Sequence, residues 1–247
     1  MKSRVLPARL VALACLVALA CGEAQADPGY YVVTVYDNPG VRTLDLRYWT
    51  YRPAGGPLTY WPVVGLGWNV TGRWYTEVMA SYIGSNSSPT KLDQMQWQND
   101  LLLTRGQYPF DLALHTLYAR DSDGSKDSSL EFGPALQTEF TRTQLNLNAF
   151  FVHGLGASAS RPTEARYQWQ VRQHWTPLFQ FGAQGFGELG PWDHWLAHDR
   201  QSHRAGPALF GHVQVGPGDL GWQAAWLFGS AYGGHGDMLS VRVKYEF

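Results

Sequence analysis

Cysteine is nearly absent from this sequence, because the two that occur, Cys15 and Cys21, both lie among the first 21 residues. The rest of the chain can therefore form no disulfide and no thiolate site. A long apolar run is also missing after position 26, where no stretch approaches the ~20 apolar residues of a membrane-spanning helix. These absences exclude a disulfide-stabilised domain and a helical membrane protein for that part of the chain.

The first 26 residues have the order of a secretory signal. Three basic residues, Lys2, Arg4 and Arg9, precede an apolar run from Leu10 to Ala20, and Ala24-Gln25-Ala26 supplies a small-residue cleavage site. We predict cleavage after Ala26. A membrane helix is the competing interpretation, but the run is too short. Cys21 raises a lipoprotein alternative, although Ala18 stands where lipoprotein signals usually carry leucine.

An excess of basic charge is lacking as well. Without residues 1–26 the chain keeps 16 of its 19 basic and 19 of its 20 acidic residues, a net charge of about −3. Nucleic-acid binding would need a basic patch. The charge therefore gives no reason to expect a nucleic-acid partner.

Aromatic residues are plentiful, with 11 Trp, 13 Tyr and 11 Phe, and they fall on alternating positions. Within Thr143–Val152, Leu145 and Leu147 share one face, and Asn146 shares the other with Asn148. The same alternation recurs around residues 166–172 and 237–247. It is the pattern of a transmembrane β-strand, apolar toward lipid and polar toward the lumen.

Nine weaker segments repeat this pattern, which gives twelve predicted strands in all. The weaker segments are residues 41–52, 58–68, 73–83, 91–104, 109–120, 129–140, 177–188, 201–213 and 221–230. Only helices and closed barrels satisfy all backbone groups in a bilayer. We therefore predict an all-β fold, a transmembrane antiparallel up-and-down β-barrel of twelve strands.

The connections between these strands alternate between two lengths. Short connections are predicted at 69–72, 105–108, 141–142, 175–176 and 216–220, and longer ones at 53–57, 84–90, 121–128, 153–163, 189–200 and 231–236. Outer-membrane barrels have short periplasmic turns and longer extracellular loops. A soluble β-sandwich also has many short strands, but one with aromatic residues on so many outer faces would aggregate.

The last predicted strand ends on Phe247 after alternating apolar residues. In this it resembles the Gram-negative outer-membrane β-barrel superfamily, and the pattern extends over residues 41–247. The resemblance implies a barrel in the outer membrane, in contact with the lipid bilayer and lipopolysaccharide. It also implies that the barrel-assembly machinery reads the C-terminal strand ending at Phe247. Residues 27–40 stand outside the twelve strands, as a periplasmic lead, a short plug or a further strand.

Inward-facing polar positions are the candidate site, as a pore lining. They are Asp45, Arg47, Glu77, Gln96, Gln98, Asp100, Asp111, His115, Glu131, Glu139, Asn146, Asn148, Arg166, Gln168, Gln170, Arg172, Gln180, Gln184, Glu188, Arg242 and Lys244. The early strands supply mainly acids and the late strands mainly bases, so an acidic sector would face a basic one and steer polar solutes. The alternative is that these charges pair with one another and fill the barrel.

Sites for a metal or for catalysis have weak support in the sequence. His194 and His198 have metal-ligand spacing in the longest loop, but three or four ligands are needed. Glu188, Ser202 and His203 could supply an acid, a nucleophile and a base, yet neighbouring strand residues point to opposite faces. We predict no catalytic residues and no cofactor.

A passive pore for small polar solutes is the function that this pattern favours. A non-conducting structural or adhesive barrel is the second hypothesis, and a surface lipid-modifying enzyme is the third.

The predicted faces of the strand around residues 166–172 lead to opposite expectations for two substitutions, because Trp169 would face lipid and Gln170 would face the lumen. Trp169→Arg should cost about 2–4 kcal/mol near the bilayer midplane, and Gln170→Lys should be tolerated.

Overall fold

Twelve antiparallel strands form a closed barrel in the computed structural model, which describes residues 30–35, 40–123, 127–156, 159–231 and 234–247. The strands are β1 (Arg42–Pro53), β2 (Thr59–Thr71), β3 (Trp74–Ser85), β4 (Ser88–Leu102), β5 (Phe110–Asp121), β6 (Ser128–Phe140), β7 (Thr143–Leu155), β8 (Glu164–Gln173), β9 (Gln180–Pro191), β10 (Ser202–Val215), β11 (Gly218–Ala231) and β12 (Gly234–Glu246). Each overlaps one predicted strand, and the predicted up-and-down barrel is confirmed.

The barrel closes where its first strand meets its last. β1 pairs with β12 in register from Thr43 opposite Glu246 to Pro53 opposite Gly236. Beyond this ladder, Arg42 and Phe247 exchange two backbone hydrogen bonds of 2.9 Å. Closure leaves no sheet edge, so every strand has a partner on both sides. An even number of strands places both of these residues at one end, here called the turn end; the opposite end is the loop end.

The connection lengths agree only in part with the predicted alternation. At the loop end, β3 is followed by β4 after residues 86–87, and β11 by β12 after residues 232–233, where longer loops were predicted. At the turn end, residues 103–109 and 174–179 are longer than predicted. The two loop-end predictions were wrong because β3, β4, β11 and β12 continue through polar and glycine residues. A hydrogen-bonded ladder needs only backbone groups, so a hairpin can extend without apolar side chains.

The outer face of the wall is apolar. Leu66 is 60% exposed and Trp97 is 51% exposed, and Leu147, Trp226 and other large side chains are likewise exposed on outward positions. Exposed aromatic residues also occur near both ends of the barrel: Tyr108 and Trp175 in turn-end connections, and Trp192 and Trp195 in the connection after β9. Such rings are typical of the interface between bilayer and water.

Helices contribute little to the structure that is described. The chain forms a short 3₁₀ turn at His198–Arg200 between β9 and β10. Over the described ranges, no helix has both the length and the apolar character required to cross a membrane.

The two-residue turn between β6 and β7 contains an unfavourable backbone conformation. Thr141 has a φ of 56°, a left-handed value that is costly for a β-branched residue and that asparagine tolerates better. We expect Thr141→Asn to raise the free energy of unfolding by about 1 kcal/mol, measured by urea titration in lipid vesicles.

Arg142 supplies the matched control, because it lies in the same turn without a positive φ. Arg142→Asn should leave stability nearly unchanged. An equal gain from both substitutions would show that the backbone conformation of Thr141 is not the cause.

Candidate functional site: the occupied lumen

Residues 30–35, here called the lumen segment, lie inside the barrel and belong to none of its strands. The side chains of Tyr30, Tyr31, Val32 and Val33 are buried, and they contact inward-facing residues from several strands. Of the stretch 27–40, which the sequence leaves as a lead, a plug or a strand, residues 27–29 and 36–39 lie outside the described residues. The structure places the lumen segment where a plug would lie.

Tyr31 lies against a cationic part of the wall. The Cζ atom of Arg47 is 3.5 Å from the centre of the Tyr31 ring, and that of Arg242 is 5.2 Å away. The hydroxyl of Tyr31 donates a hydrogen bond of 2.9 Å to Gln98 Oε1. A guanidinium over an aromatic face is attractive, and more so where water is excluded. These contacts bind both the ring face and the polar end of the side chain.

Tyr30 occupies a second recess on another part of the wall. Its hydroxyl donates to Glu188 Oε1 at 3.1 Å, and the Cζ atom of Arg204 lies 4.2 Å from its ring centre. Arg204 also donates to Glu188. Trp49 and Phe186 pack edge-on at 4.7 and 5.5 Å between ring centres. Tyr30 therefore packs against two aromatic rings and a guanidinium, and its hydroxyl binds a carboxylate.

Side chains of the wall bind the backbone of the lumen segment. Val33 N donates to Gln168 Oε1 at 3.0 Å, and Asn148 Nδ2 donates to Val33 O at 2.9 Å. Ser240 Oγ donates to Tyr30 O at 2.7 Å. Buried backbone groups need such partners, and these three find them without joining the sheet.

An apolar cluster fills part of the interior, and sequence reasoning missed it. Trp49 and Trp61 stack with 3.7 Å between ring centres. The cluster comprises Tyr30, Val32, Trp49, Trp61, Phe186, Ala208, Phe210, Ala225, Leu227 and Met238. The signal that could have found it is the loss of alternation in parts of the sequence such as Tyr48-Trp49-Thr50-Tyr51, where aromatic residues occupy both faces.

The interior charges pair locally instead of forming two opposed sectors. Asp45 accepts hydrogen bonds from both Arg47 (2.9 Å) and Arg242 (3.0 Å), and Glu77 accepts from Arg47 at 2.8 Å. Because Asp45 and Arg242 lie on the adjoining strands β1 and β12, opposite charges meet side by side. Buried charges are stable only when paired in this way.

A second group of paired side chains lies between β4, β5 and β6. His115 Nδ1 is 2.6 Å from Asp100 Oδ1, and His115 Nε2 is 3.4 Å from Glu131 Oε1. Arg166 from β8 approaches Glu131 at 3.5 Å. These contacts bring basic and acidic side chains together and so reduce the field that separated charges would create.

The structure places the residues predicted to line a pore in three environments. Buried in the interior are Asp45, Arg47, Glu77, Gln96, Gln98, Asp100, His115, Glu131, Asn146, Asn148, Gln170, Gln180, Gln184, Glu188 and Arg242. Half-buried are Asp111, Arg166, Gln168, Arg172 and Lys244, and Glu139 is exposed at the turn end of β6. Most of these side chains contact one another or the lumen segment, so water reaches few of them.

A polar cavity of about 280 Å³ lies between the lumen segment and the turn end. Thr34 and Val35 line it on one side, and the wall contributes amide and charged side chains such as Gln223 and Arg172. The Gln180 Oε1 and Gln223 Nε2 atoms have no hydrogen-bond partner among the described residues. This cavity has room for a small polar molecule.

The candidate residues for hydrolysis are divided between the two faces of the wall. Ser202 and Glu188 are buried inside. His203, the next residue of β10, forms a 2.8 Å bond through Nδ1 to the Tyr167 hydroxyl and a 2.8 Å bond through Nε2 to Gln201 Oε1. Both ring nitrogens are thus occupied away from Ser202. His203 therefore does not meet the other two candidates, Ser202 and Glu188, which lie opposite each other on β10 and β9.

The weak metal candidates also have other contacts. His194 Nδ1 lies 2.7 Å from Asp193 Oδ1, and the His198 ring stacks on His203 at 5.4 Å. No group of three or more His, Cys, Asp or Glu side chains in the described part of the chain could hold a metal ion.

Comparison with solved structures shows which proteins share this fold. An outer-membrane channel from Pseudomonas putida F1 superposes with a TM-score of 0.60 at 12% identity, covering 90% of this chain and 100% of that one. The translocator domain of the autotransporter NalP from Neisseria meningitidis superposes with a TM-score of 0.47 at 11% identity, covering 97% of this chain and 98% of that one. Outer membrane phospholipase A from Escherichia coli superposes with a TM-score of 0.45 at 12% identity, covering 90% of this chain and 95% of that one.

This chain has the fold of Gram-negative outer-membrane β-barrels. Neither the protein-family models nor the sequences of curated proteins give a match. At such low identities the likeness establishes the fold and nothing about activity.

Gln170 illustrates how the occupied interior changes an expectation drawn from sequence. It is buried, donates to Gln184 at 3.0 Å and accepts from Arg172 at 3.2 Å. A lysine there could donate to Gln184 but could not accept from Arg172, and it would place a second cation beside that guanidinium, so Gln170→Lys should cost about 2 kcal/mol or more. Urea titration in lipid vesicles measures this cost.

Gln223→Lys is the matched control, because Gln223 also points inward but lines the cavity. It should fold with nearly unchanged stability. Equal tolerance of lysine at both positions would contradict a packed environment around Gln170.

Proposed function

We propose that this chain is an outer-membrane channel for small polar solutes, closed in this conformation by the lumen segment and opened when that segment leaves. The shared fold and the apolar outer wall support a position in the outer membrane. The proposal concerns passive diffusion, in which the protein supplies a path and no energy.

One observation carries the proposal: the occupant of the lumen is not part of the wall. The strand pairings of the barrel involve no residue of 30–35. The hydrogen bonds that hold the segment, as described above, come from wall side chains, such as those between Tyr31 and Gln98 and between Val33 and Gln168. Its departure would leave every ladder of the closed sheet intact, and the cavity beside Thr34 and Val35 would become continuous with the space it vacates.

Polar solutes are favoured by the groups that would line this path. Amides such as Gln144 and Gln180 border the cavity, and they can both donate and accept hydrogen bonds. Several interior carboxylates and guanidiniums are paired with each other, as Asp45 is with Arg47 and Glu188 with Arg204. A lining of amides and neutralised charges favours neutral or zwitterionic solutes over ions of one sign.

A non-conducting barrel is the second candidate, and the apolar cluster favours it. Trp61, Phe210 and Leu227 lie inside and remain there without the lumen segment. A surface lipid-modifying enzyme has less support, because Ser202 and His203 point to opposite faces of β10.

Conductance in planar bilayers tests the proposal. A full-length variant with residues 30–35 replaced by alternating Gly and Ser keeps the chain length but loses the side chains that anchor the segment. We expect the wild-type protein to be closed most of the time and the Gly-Ser variant to show sustained single-channel currents.

Heat-modifiable gel migration and circular dichroism establish that the variant is folded. Thr34→Ala is the control substitution within the same segment, since Thr34 borders the cavity, and it should behave as the wild type. A folded Gly-Ser variant with no current would favour the non-conducting barrel.

A further inference from the structure

The lumen segment is bound in the way that a receptor binds a peptide ligand. Two adjacent aromatic side chains, Tyr30 and Tyr31, enter separate recesses of the wall. The backbone between them and Val33 is bound by Ser240, Asn148 and Gln168. All these contacts come from wall side chains, so they depend on which residues the segment contains.

The recess around Tyr31 is held in shape by contacts within the wall. Arg47 donates to Asp45 at 2.9 Å and to Glu77 at 2.8 Å, which orients its planar guanidinium toward the ring. Gln98 donates to Asp100 at 2.6 Å, and this leaves Gln98 Oε1 directed at the Tyr31 hydroxyl. Neither arrangement requires the lumen segment, so the recess is preformed.

The recess around Tyr30 has the same property. Arg204 pairs with Glu188, and Trp49 is fixed by stacking on Trp61 with the rings 9° from parallel. Arg204, Glu188 and Trp49 are therefore each positioned by another wall residue. A site that is ordered before its ligand arrives loses little entropy on binding.

Two of the wall side chains that bind the backbone of the lumen segment are also bonded to each other. Asn148 Nδ2 donates both to Val33 O at 2.9 Å and to Gln168 Oε1 at 3.1 Å. Gln168 Oε1 in turn accepts from Val33 N. The two amides thus form a fixed pair that matches one N–H and one C=O of an extended peptide.

We propose that the lumen wall is a reversible, sequence-selective binding site for an extended peptide with two adjacent tyrosines, and that residues 30–35 are its tethered occupant. This deepens the proposed channel function and rests on it for the consequence that occupancy closes the pore. The binding itself does not depend on conduction. The same peptide supplied free in solution should therefore bind a barrel whose own segment has been replaced.

The first experiment measures binding without any current. The host is the folded Gly-Ser variant in detergent, and the probe is a fluorescently labelled synthetic peptide of residues 27–37, followed by fluorescence anisotropy. Saturable binding of this peptide and none of a scrambled one is expected. Equal binding of the two, or no binding to the folded host, would overturn the proposal.

Peptide variants then test the individual recesses without altering the barrel. Tyr31→Leu removes the ring under Arg47, and we expect binding about tenfold weaker or more. Tyr31→Phe removes only the bond to Gln98, and about fivefold weaker binding is expected. Thr34→Ala should bind as the parent peptide does. In a Gln98→Ala host, the parent peptide and its Tyr31→Phe variant should bind equally if the bond to Gln98 is real.

A second measurement uses the full chain with its own segment in place. In protein refolded without residues 1–26, Val33→Cys supplies the only thiol, at a position that is buried beside Ala135 and Phe150. A water-soluble thiol reagent should react slowly, and adding Tyr31→Leu should speed the reaction about tenfold. An unchanged rate would show that Tyr31 does not hold the segment.

Failure of this inference and failure of the channel proposal give different results. If the peptide binds but the Gly-Ser variant carries no current, the binding site stands and the channel proposal fails. If the variant conducts and neither binds the peptide nor is blocked by it, the channel stands and the binding site is refuted.

Discussion

The pairing of β1 with β12 is the constraint on which the rest of this structure depends. Backbone groups cannot remain unpaired in lipid, so the sheet must close, and closure creates an inner face that is cut off from lipid. Each strand then has one face that must suit acyl chains and another that must be satisfied inside the tube. The inward positions of this barrel meet that demand in two ways: by apolar packing around Trp49 and Trp61, and by ion pairs around Asp45 and Arg47.

The ion pairs determine what the lumen segment can contact. Arg47 is bonded to two carboxylates, yet the face of its guanidinium stays available for the ring of Tyr31. A guanidinium can use its edge for hydrogen bonds and its face for stacking at the same time. The charged side chains of the wall and the aromatic residues of the segment are therefore in contact with one another. The carboxylates that neutralise Arg47 also hold its guanidinium in the position where it contacts Tyr31.

The strand count and the closed barrel could be predicted from sequence because alternation is a local property. In β7, Leu147 and Asn148 show by themselves which face is apolar. The apolar interior was missed because Tyr48, Trp49 and Tyr51 are aromatic on both faces, and alternation says nothing there. The pairing of Arg47 with Glu77 could not be predicted either, since β2 separates their strands and only the register of three strands brings them together.

The position of residues 30–35 inside the barrel could not be predicted from sequence either, because Tyr-Tyr-Val-Val has the composition of an ordinary strand. Nothing within these residues says that their partners include side chains on β1, β4, β7, β8, β9 and β12. Similarly, the hairpins β3–β4 and β11–β12 extend through residues with weak strand preference. Their pairing depends on neighbouring strands that a local pattern does not describe.

The position of this segment also links its binding to the closure of the sheet. Residues 30–35 precede β1 and are surrounded by wall residues from strands as distant as β12, such as Ser240. The side chains that hold the segment come from both the first and the last strand, Arg47 of β1 and Ser240 of β12 among them. The full set of contacts therefore exists only once the sheet has closed, and an unclosed sheet offers the segment only part of its site.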